Sequence, residues 1–301
     1  MAVIRVETSE AAQLGEGPAW DSRRAAILWV DIKRDRAFSL TPTTGAFRAW
    51  DVSGSPSAIL PAVDGRYLLP TRRGLICLDP ETGHTELAIE LTSVRDGYRT
   101  NEAKCDPDGN AWVSVMDDQE RAADGFLVSI DDRGASQPRV TGVGIPNTLA
   151  WDTERQRFYF GDSATGEISV FDCPQGCVAL DSRRTFVAPD AAPGVPDGSA
   201  LDQNGYLWNA RWGGGCVARF APDGSVDRLI SLPATNPTSC AFGGEKLDRL
   251  YVTTAAASGS EFLAGDGQLL SFAVDVKGAS IAEFGSARHP AEPSRRTVSG
   301  P

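Results

Sequence analysis

Four residues far apart in the chain share one local context. Glu16, Asn101, Asn147 and Asp197 each stand five positions ahead of an aspartate that closes a short, largely apolar run. All four carry side-chain oxygen, and two of them are ionised at neutral pH. A set of hard oxygen donors suits a divalent cation, with water completing the coordination sphere; calcium, magnesium, manganese, zinc and iron(II) all tolerate such ligands. Other reactive material is scarce. There are two histidines, His84 beside an expected turn and His289 in a Pro/Ser/Arg-rich tail, too few for a Ser-His-Asp hydrolase or a multi-histidine metal centre. The six cysteines are scattered, and only Cys173 and Cys177 lie close, which reads as buried thiols rather than zinc ligands. Gly161-Asp162-Ser163 has no histidine to activate its serine. Asp106-Pro107-Asp108-Gly109 lacks the sixth-position glycine and twelfth-position glutamate of a calcium-binding loop, and reads as a hairpin turn. Gly213–Gly215 runs into Cys216-Val217, not the Lys-Ser or Lys-Thr of a phosphate loop.

The shared context is part of a larger repeat. The segments GEGPAWD, PSAILPAVD, RTNEAKCD, IPNTLAWD, VPDGSALD and NPTSCAFG end at Asp21, Asp64, Asp106, Asp152, Asp202 and Gly243, at intervals of 43, 42, 46, 50 and 41 residues. Each is followed by a turn and a strand-like run such as DGNAWVSV or NGYLWNA. Most copies then show another short strand closing on an acidic turn. Two-residue alternation is common and long 3.6-residue periodicity is absent. Units of this length with short strands and Asp-Gly or Asn-Gly turns are blades of a β-propeller, one four-stranded antiparallel sheet each. Six units predict six blades in an all-β fold occupying residues 1–284, with 285–301 a loose tail. A blade cannot bury both faces alone, so neighbours must cover them. Ring closure needs an edge strand from one terminus, and AVIRVE near the start is the candidate. Innermost strands line the axis, so equivalent positions form a ring: Glu16, Ile59, Asn101, Asn147, Asp197 and Thr238. Trp20, Trp29, Trp112, Trp151 and Trp208 fall at similar registers and are expected between blades, whereas Trp212 breaks the pattern and is a candidate to line the mouth.

Composition narrows the function. Of 301 residues, 41% are hydrophobic and 23% charged, enough for a packed core. Lys and Arg number 29 against 40 Asp and Glu, a net charge of −11 that disfavours nucleic acid and anionic membranes as partners. No apolar run approaches the roughly 20 residues of a membrane span, and the N-terminal residues lack a basic segment followed by an apolar one. A cytoplasmic protein acting on a small molecule is the expectation; oligomeric state is not encoded in any visible pattern.

The motifs LGEGPAWD, RTNEAKCDPDG, PNTLAWD, PDGSALDQNGYLWNARWGGG and LYVTTA, in that order from about Leu14 to Ala273, resemble the SMP-30/gluconolactonase/luciferin-regenerating family. The resemblance implies a six-bladed propeller with one divalent metal on its axis and, in most members, hydrolysis of sugar lactones. Carried over by motif, the metal ligands fall on Glu16, Asn147 and Asp197, Asn101 lines the site through substrate or water, and the substrate-binding arginine falls on Arg99. Where many members have an acidic residue after the third-blade strand, this chain has Asp117 and Asp118, with Glu120 close by; Asp117 is taken as the substrate contact, with the other two as alternatives. Trp212 completes the candidate substrate-binding set. The expected reaction opens an aldonolactone to the aldonic acid, with Asp197 also accepting the proton of the attacking water. The rival readings are a propeller hydrolase acting on another ester or a phosphotriester, and a non-catalytic propeller that binds a protein or peptide.

Overall fold

The fold is six four-stranded antiparallel sheets arranged as the blades of a propeller. The structure is a computed structural model and describes residues 3–134, 136–257 and 262–285; most of the expected tail lies outside these residues. The innermost strands are Gly15–Asp21, Leu60–Pro61, Tyr98–Cys105, Pro146–Asp152, Val195–Leu201 and Pro237–Gly243. They coincide with the repeated segments, the second cut to two paired residues. In blades 1 to 5 the sheet order follows the chain outward. Blade 6 takes its outermost strand from the N-terminal segment: Arg5–Val6 pairs antiparallel with Leu270–Ala273. The closing strand predicted within AVIRVE is therefore present. Among the described residues there is no α-helix, and no helix long and apolar enough to cross a membrane.

Hydrophobic packing follows the repeat. Buried apolar side chains form six clusters, and each spans one interface between adjacent blades. Blade 1, for example, meets blade 6 through Ile27, Trp29 and Phe38 against Ala241, Tyr251 and Leu269. The tryptophans serve these contacts: Trp20 stacks on Tyr251, Trp112 meets Trp151 edge-on, and Trp208 meets Phe242 edge-on. Because every blade needs two neighbours to bury its faces, the ring is stable only when closed.

The repeated aspartate has a local cause. Asp106 accepts hydrogen bonds from the backbone N–H groups of Asp108 and Asn110, and Asp202 from those of Asn204 and Tyr206. A carboxylate two residues before the turn thus satisfies donors that no strand partner reaches. In both blades the same carboxylate also takes the indole N–H of a second-strand tryptophan, Trp112 or Trp208. At the foot of the ring a C-terminal strap crosses between blades. Ala279 donates to the Leu201 carbonyl, Phe284 to that of Pro61, Gly285 to that of Gly109, and Glu283 pairs with Arg23 of blade 1.

Equivalent aspartates should not be equal energetically. The Asp202 carboxylate is fully buried and holds the equally enclosed Arg219 guanidinium through Nε and Nη2 at 3.0 and 2.6 Å. Asp64, its counterpart in blade 2, is exposed and pairs with exposed Arg66. Asp202→Ala leaves Arg219 with only the partly exposed Asp227 at 2.8 Å and strips the acceptor from the buried Trp208 indole; it is expected to cost about 3 kcal/mol, whereas Asp64→Ala should cost at most about 1 kcal/mol. Denaturant midpoints of the two variants test this, and equal losses would remove the burial argument.

Candidate active site at the propeller hub

The polar residues of the predicted ring meet at one end of the axis. Glu16, Asn101, Asn147 and Asp197 are all buried. Ile59 and Thr238 close the other two positions: Ile59 is packed between blades 1 and 2, and Thr238 donates its hydroxyl to the Gly15 carbonyl. A recurrent backbone irregularity aims these side chains. In blades 1, 3, 4, 5 and 6 the pairing of the inner strand slips at the ring position, between Glu16 and Ala19, Thr100 and Ala103, Asn147 and Leu149, Pro196 and Ser199, and Pro237 and Ser239. Such bulges bend a strand and redirect its side chains. Their local cost is visible in Thr148, a β-branched residue at φ 51°, a conformation that costs on the order of 1–3 kcal/mol and persists only where surrounding contacts enforce it. Its hydroxyl donates to the Asp197 carbonyl at 2.5 Å. Gly17, at φ 53°, lets blade 1 approach blade 2 so closely that a Cβ would sit 2.4 Å from the Ala58 Cα.

Hydrogen bonds fix each group. Asn147 donates from Nδ2 to Ser163 Oγ at 2.8 Å, which turns its Oδ1 to the amide of Asn101 at 3.0 Å. Asn101 accepts from Arg99 Nη1 at 2.5 Å, so its own oxygen faces Arg99 and its amide faces the hub. Glu16 Oε2 accepts from the Gly17 N–H. Asp197 Oδ1 is buried without a hydrogen-bond partner, as is Oε2 of Glu102. Glu102 follows Asn101 in the bulge of blade 3 and adds a third buried carboxylate to the hub.

Arg99 and Lys104 offset the electrostatics of this cluster only in part. Burial first, and then the Glu102 charge, push Glu16 up to about 8. Burial, Glu16 and Glu102 push Asp197 well above the usual carboxylate range. Burial raises Glu102 as well, opposed by the nearby Lys104. A divalent cation would reverse each of these penalties, and the donors fit one: carboxylates, an amide oxygen and an unpartnered Asp197 oxygen. Among the described residues no three His, Cys, Asp or Glu side chains are grouped as metal ligands. A cation at the hub would therefore draw on Asn147 and water besides the carboxylates.

The expected substrate-side residues divide. Arg99 is buried beside the ring, and its Nε donates to Asp118 at 2.9 Å. Asp117 points elsewhere: its carboxylate accepts the backbone N–H groups of Gln119 and Arg121 and caps that turn. Asp31 and Asp162, which also end second strands, do the same for the segments entering their blades. That recurrence was readable as a structural role for Asp117. Trp212 ends the second strand of blade 5 at the ring's end of the propeller and is 37% exposed. Sequence reasoning passed over Glu102 and Arg211. The Arg211 guanidinium is fully buried and donates to the carbonyls of Ala192, Pro193 and Gly194 and to Asn209 Oδ1, pinning the loop that leads into the Asp197 strand. A cavity of about 460 Å³ opens at the opposite end, where its lining includes Lys104, Trp151, Asp202 and Ile281. Asp152 and Asp202 there are already paired with Arg155 and Arg219, so the unspent charge lies at the ring.

Comparison with known proteins agrees with the six-bladed fold. The sequence model of the SMP-30/Gluconolactonase/LRE-like region matches residues 14–256. Pentonolactonase XacC of Haloferax volcanii is 32% identical over 95% of this chain and 98% of its own. The putative sugar lactone lactonase YvrE of Bacillus subtilis is 30% identical over 85% and 88%. The crystal structure of a calcium-binding protein, regucalcin, from Agrobacterium tumefaciens superposes with a TM-score of 0.89 at 25% identity, covering 94% of this chain and 97% of that one.

The hub carboxylates set a pH dependence in the cation-free protein. Glu16 holds its proton up to about pH 8 when folded but only to about 4.3 when unfolded. Between those values the native state binds more protons, so stability falls as pH rises; Asp197 adds the same sign. Chelator-treated protein is expected to lose thermal stability from about pH 5 to pH 8, and Glu16→Gln to flatten that slope. A melting series in which the variant keeps the full slope would place the titration elsewhere.

Proposed function

The chain belongs to the SMP-30/Gluconolactonase/LRE-like family, and on that premise we propose that it is a metal-dependent lactonase opening a sugar-derived aldonolactone to the aldonic acid. The observation that carries this reading is the group of buried hub carboxylates whose ionisation Arg99 and Lys104 only partly offset, with one oxygen of buried Asp197 left without a partner. Uncompensated buried carboxylates cost several kcal/mol each, a penalty that a binding site for a cation explains and a passive channel does not. Relatives named as sugar lactonases over nearly the whole chain support the reaction class.

In this reading Glu16, Asn147 and Asp197 hold one divalent cation. When bound, such an ion supplies Lewis-acid polarisation of the carbonyl and eases ionisation of a water. The remaining work belongs to the chain. The Asp197 carboxylate oxygen that the cation does not engage accepts the proton of the water as the water oxygen bonds to the lactone carbonyl carbon. The proton is then returned to the ring oxygen as the carbon–oxygen bond breaks and the aldonic acid forms. A carboxylate in a desolvated site is a stronger base than one in water, which suits this role. Arg99 is clamped by Asp118, Thr100 and Asn101 through Nε and Nη1. Its Nη2 makes no hydrogen bond to a described residue and is offered to sugar hydroxyls, whereas the Asn101 amide spends its two N–H groups on the Pro146 carbonyl and Asn147 Oδ1 and lines the site without a free donor.

The direct test is a panel of hexono- and pentonolactones assayed after chelation and again after adding back single metals. Turnover should vanish with chelation and return with at least one ion. Asp197→Asn is expected to lower kcat by about 10²–10⁴-fold, with cation affinity measured separately by calorimetry. A variant that binds the cation and retains full turnover would refute the general-base role.

A further inference from the structure

Outside the hub, one charge cluster is larger than its structural task requires. Asp118 receives three cations from three blades. Lys33 Nζ, from the turn after Ala26–Asp31 of blade 1, lies at 3.1 Å; Arg72 Nη2, from the turn after Tyr67–Thr71 of blade 2, at 2.7 Å; and Arg99 Nε of blade 3 at 2.9 Å. Partial burial alone would raise the Asp118 carboxyl, yet hydrogen bonds and charge from Arg72 and Lys33 hold it down at about 2. One carboxylate suffices to orient Arg99, and two further cations are not needed for that. Asp118, Glu16 and Glu120 all act on Arg99; with Glu16 counted among the hub carboxylates, the rim itself sets three cations against Asp118 and Glu120, within a chain of net charge −11.

The cluster is also placed to meet a ligand. All three turns or strand ends lie at the ring's end of the propeller, as the pairings of Gly15 with Asp31 and of Tyr98 with Asp117 require. Side-chain exposure climbs outward, from 5% at Arg99 through 21% at Asp118 to 34% at Arg72 and 38% at Lys33. Hydrogen bonds run inward without a break from Asp118 through Arg99 and Asn101 to Asn147. A substrate whose carbonyl sits at the hub would therefore present its far end to Lys33 and Arg72.

We propose that this rim selects lactones bearing a second, anionic group, a carboxylate or a phosphate, remote from the ring carbonyl. The inference rests on the lactonase reading and specifies its substrate class. Complementary charge at the mouth of a site raises encounter rates and fixes orientation, and a charge-assisted hydrogen bond to a bound anion adds affinity.

The test compares glucaro-1,4-lactone, which carries a free carboxylate, and 6-phosphogluconolactone with neutral glucono-1,5-lactone, all on the metal-loaded full-length protein. The anionic lactones should show the higher kcat/KM by about tenfold or more. Their advantage should shrink as salt rises from about 0.02 to 0.5 M, because the outer cations are solvent-exposed. Arg72→Met and Lys33→Met should each reduce the ratio of anionic to neutral kcat/KM several-fold, whereas a purely structural network would lower both substrates alike and leave the ratio unchanged. Hydrolysis of neutral lactones with a ratio at or below one, unmoved by salt and by either variant, overturns the proposal and leaves the lactonase reading standing. Absence of hydrolysis for every lactone overturns both. The salt series needs no variant, so the proposal remains testable if a substitution impairs folding.

Discussion

Carboxylates confined at the hub of a closed ring, where burial opposes their ionisation, are the constraint on which the rest of this structure depends. Carboxylates from blades 1, 3 and 5 are withdrawn from water and brought within electrostatic range of one another. A single chain segment could not enforce that, because repulsion would drive the groups apart and into solvent. Closure of six blades enforces it, since each inner strand is held by the apolar contacts of its whole blade with both neighbours. Stability is thus accumulated at the interfaces and spent at the axis, the usual relation between a packed scaffold and a strained site.

The strain is distributed in a regular way. Five inner strands slip their pairing at the same layer, and Thr148 accepts a left-handed backbone there. Ordinary strand alternation would turn adjacent side chains to opposite faces. The bulge relaxes that rule, and this is how Asn101 and Glu102, neighbours in sequence, both serve the hub. Beneath the ring, Gly17 and Gly198 bring inner strands closer than any side chain permits; a Cβ at Gly198 would lie 2.0 Å from Ser239 Oγ. Above it, Arg99 is oriented by Asp118 while Arg211 pins the loop before Asp197. Two buried guanidiniums, one salt-bridged and one held by carbonyls alone, thereby set the geometry of the site from blades 3 and 5.

What could be read in the amino-acid order was whatever a single blade states locally. The turn-capping aspartates, the alternating second and third strands and the register of Glu16, Asn101, Asn147 and Asp197 repeat because each blade solves the same hydrogen-bonding problem. The outermost strands left little trace: Thr85–Glu90 and Val226–Ser231 are largely exposed and carry mixed side chains, so no buried face imposes a pattern on them. The strap across the foot of the ring was equally hidden, because its bonds to Leu201, Pro61 and Gly109 are made by backbone atoms, to which side-chain identity is nearly irrelevant.

Order along the chain therefore determined the repeat, the blade count and the polar ring, all of them consequences of short-range turn chemistry and strand alternation. The pairing of Arg99 with Asp118 while Asp117 caps a turn, the arrival of Glu102 at the hub and the convergence of Lys33 and Arg72 on one carboxylate belonged to the tertiary structure. Each depends on distances between blades, and those distances exist only after the ring has closed.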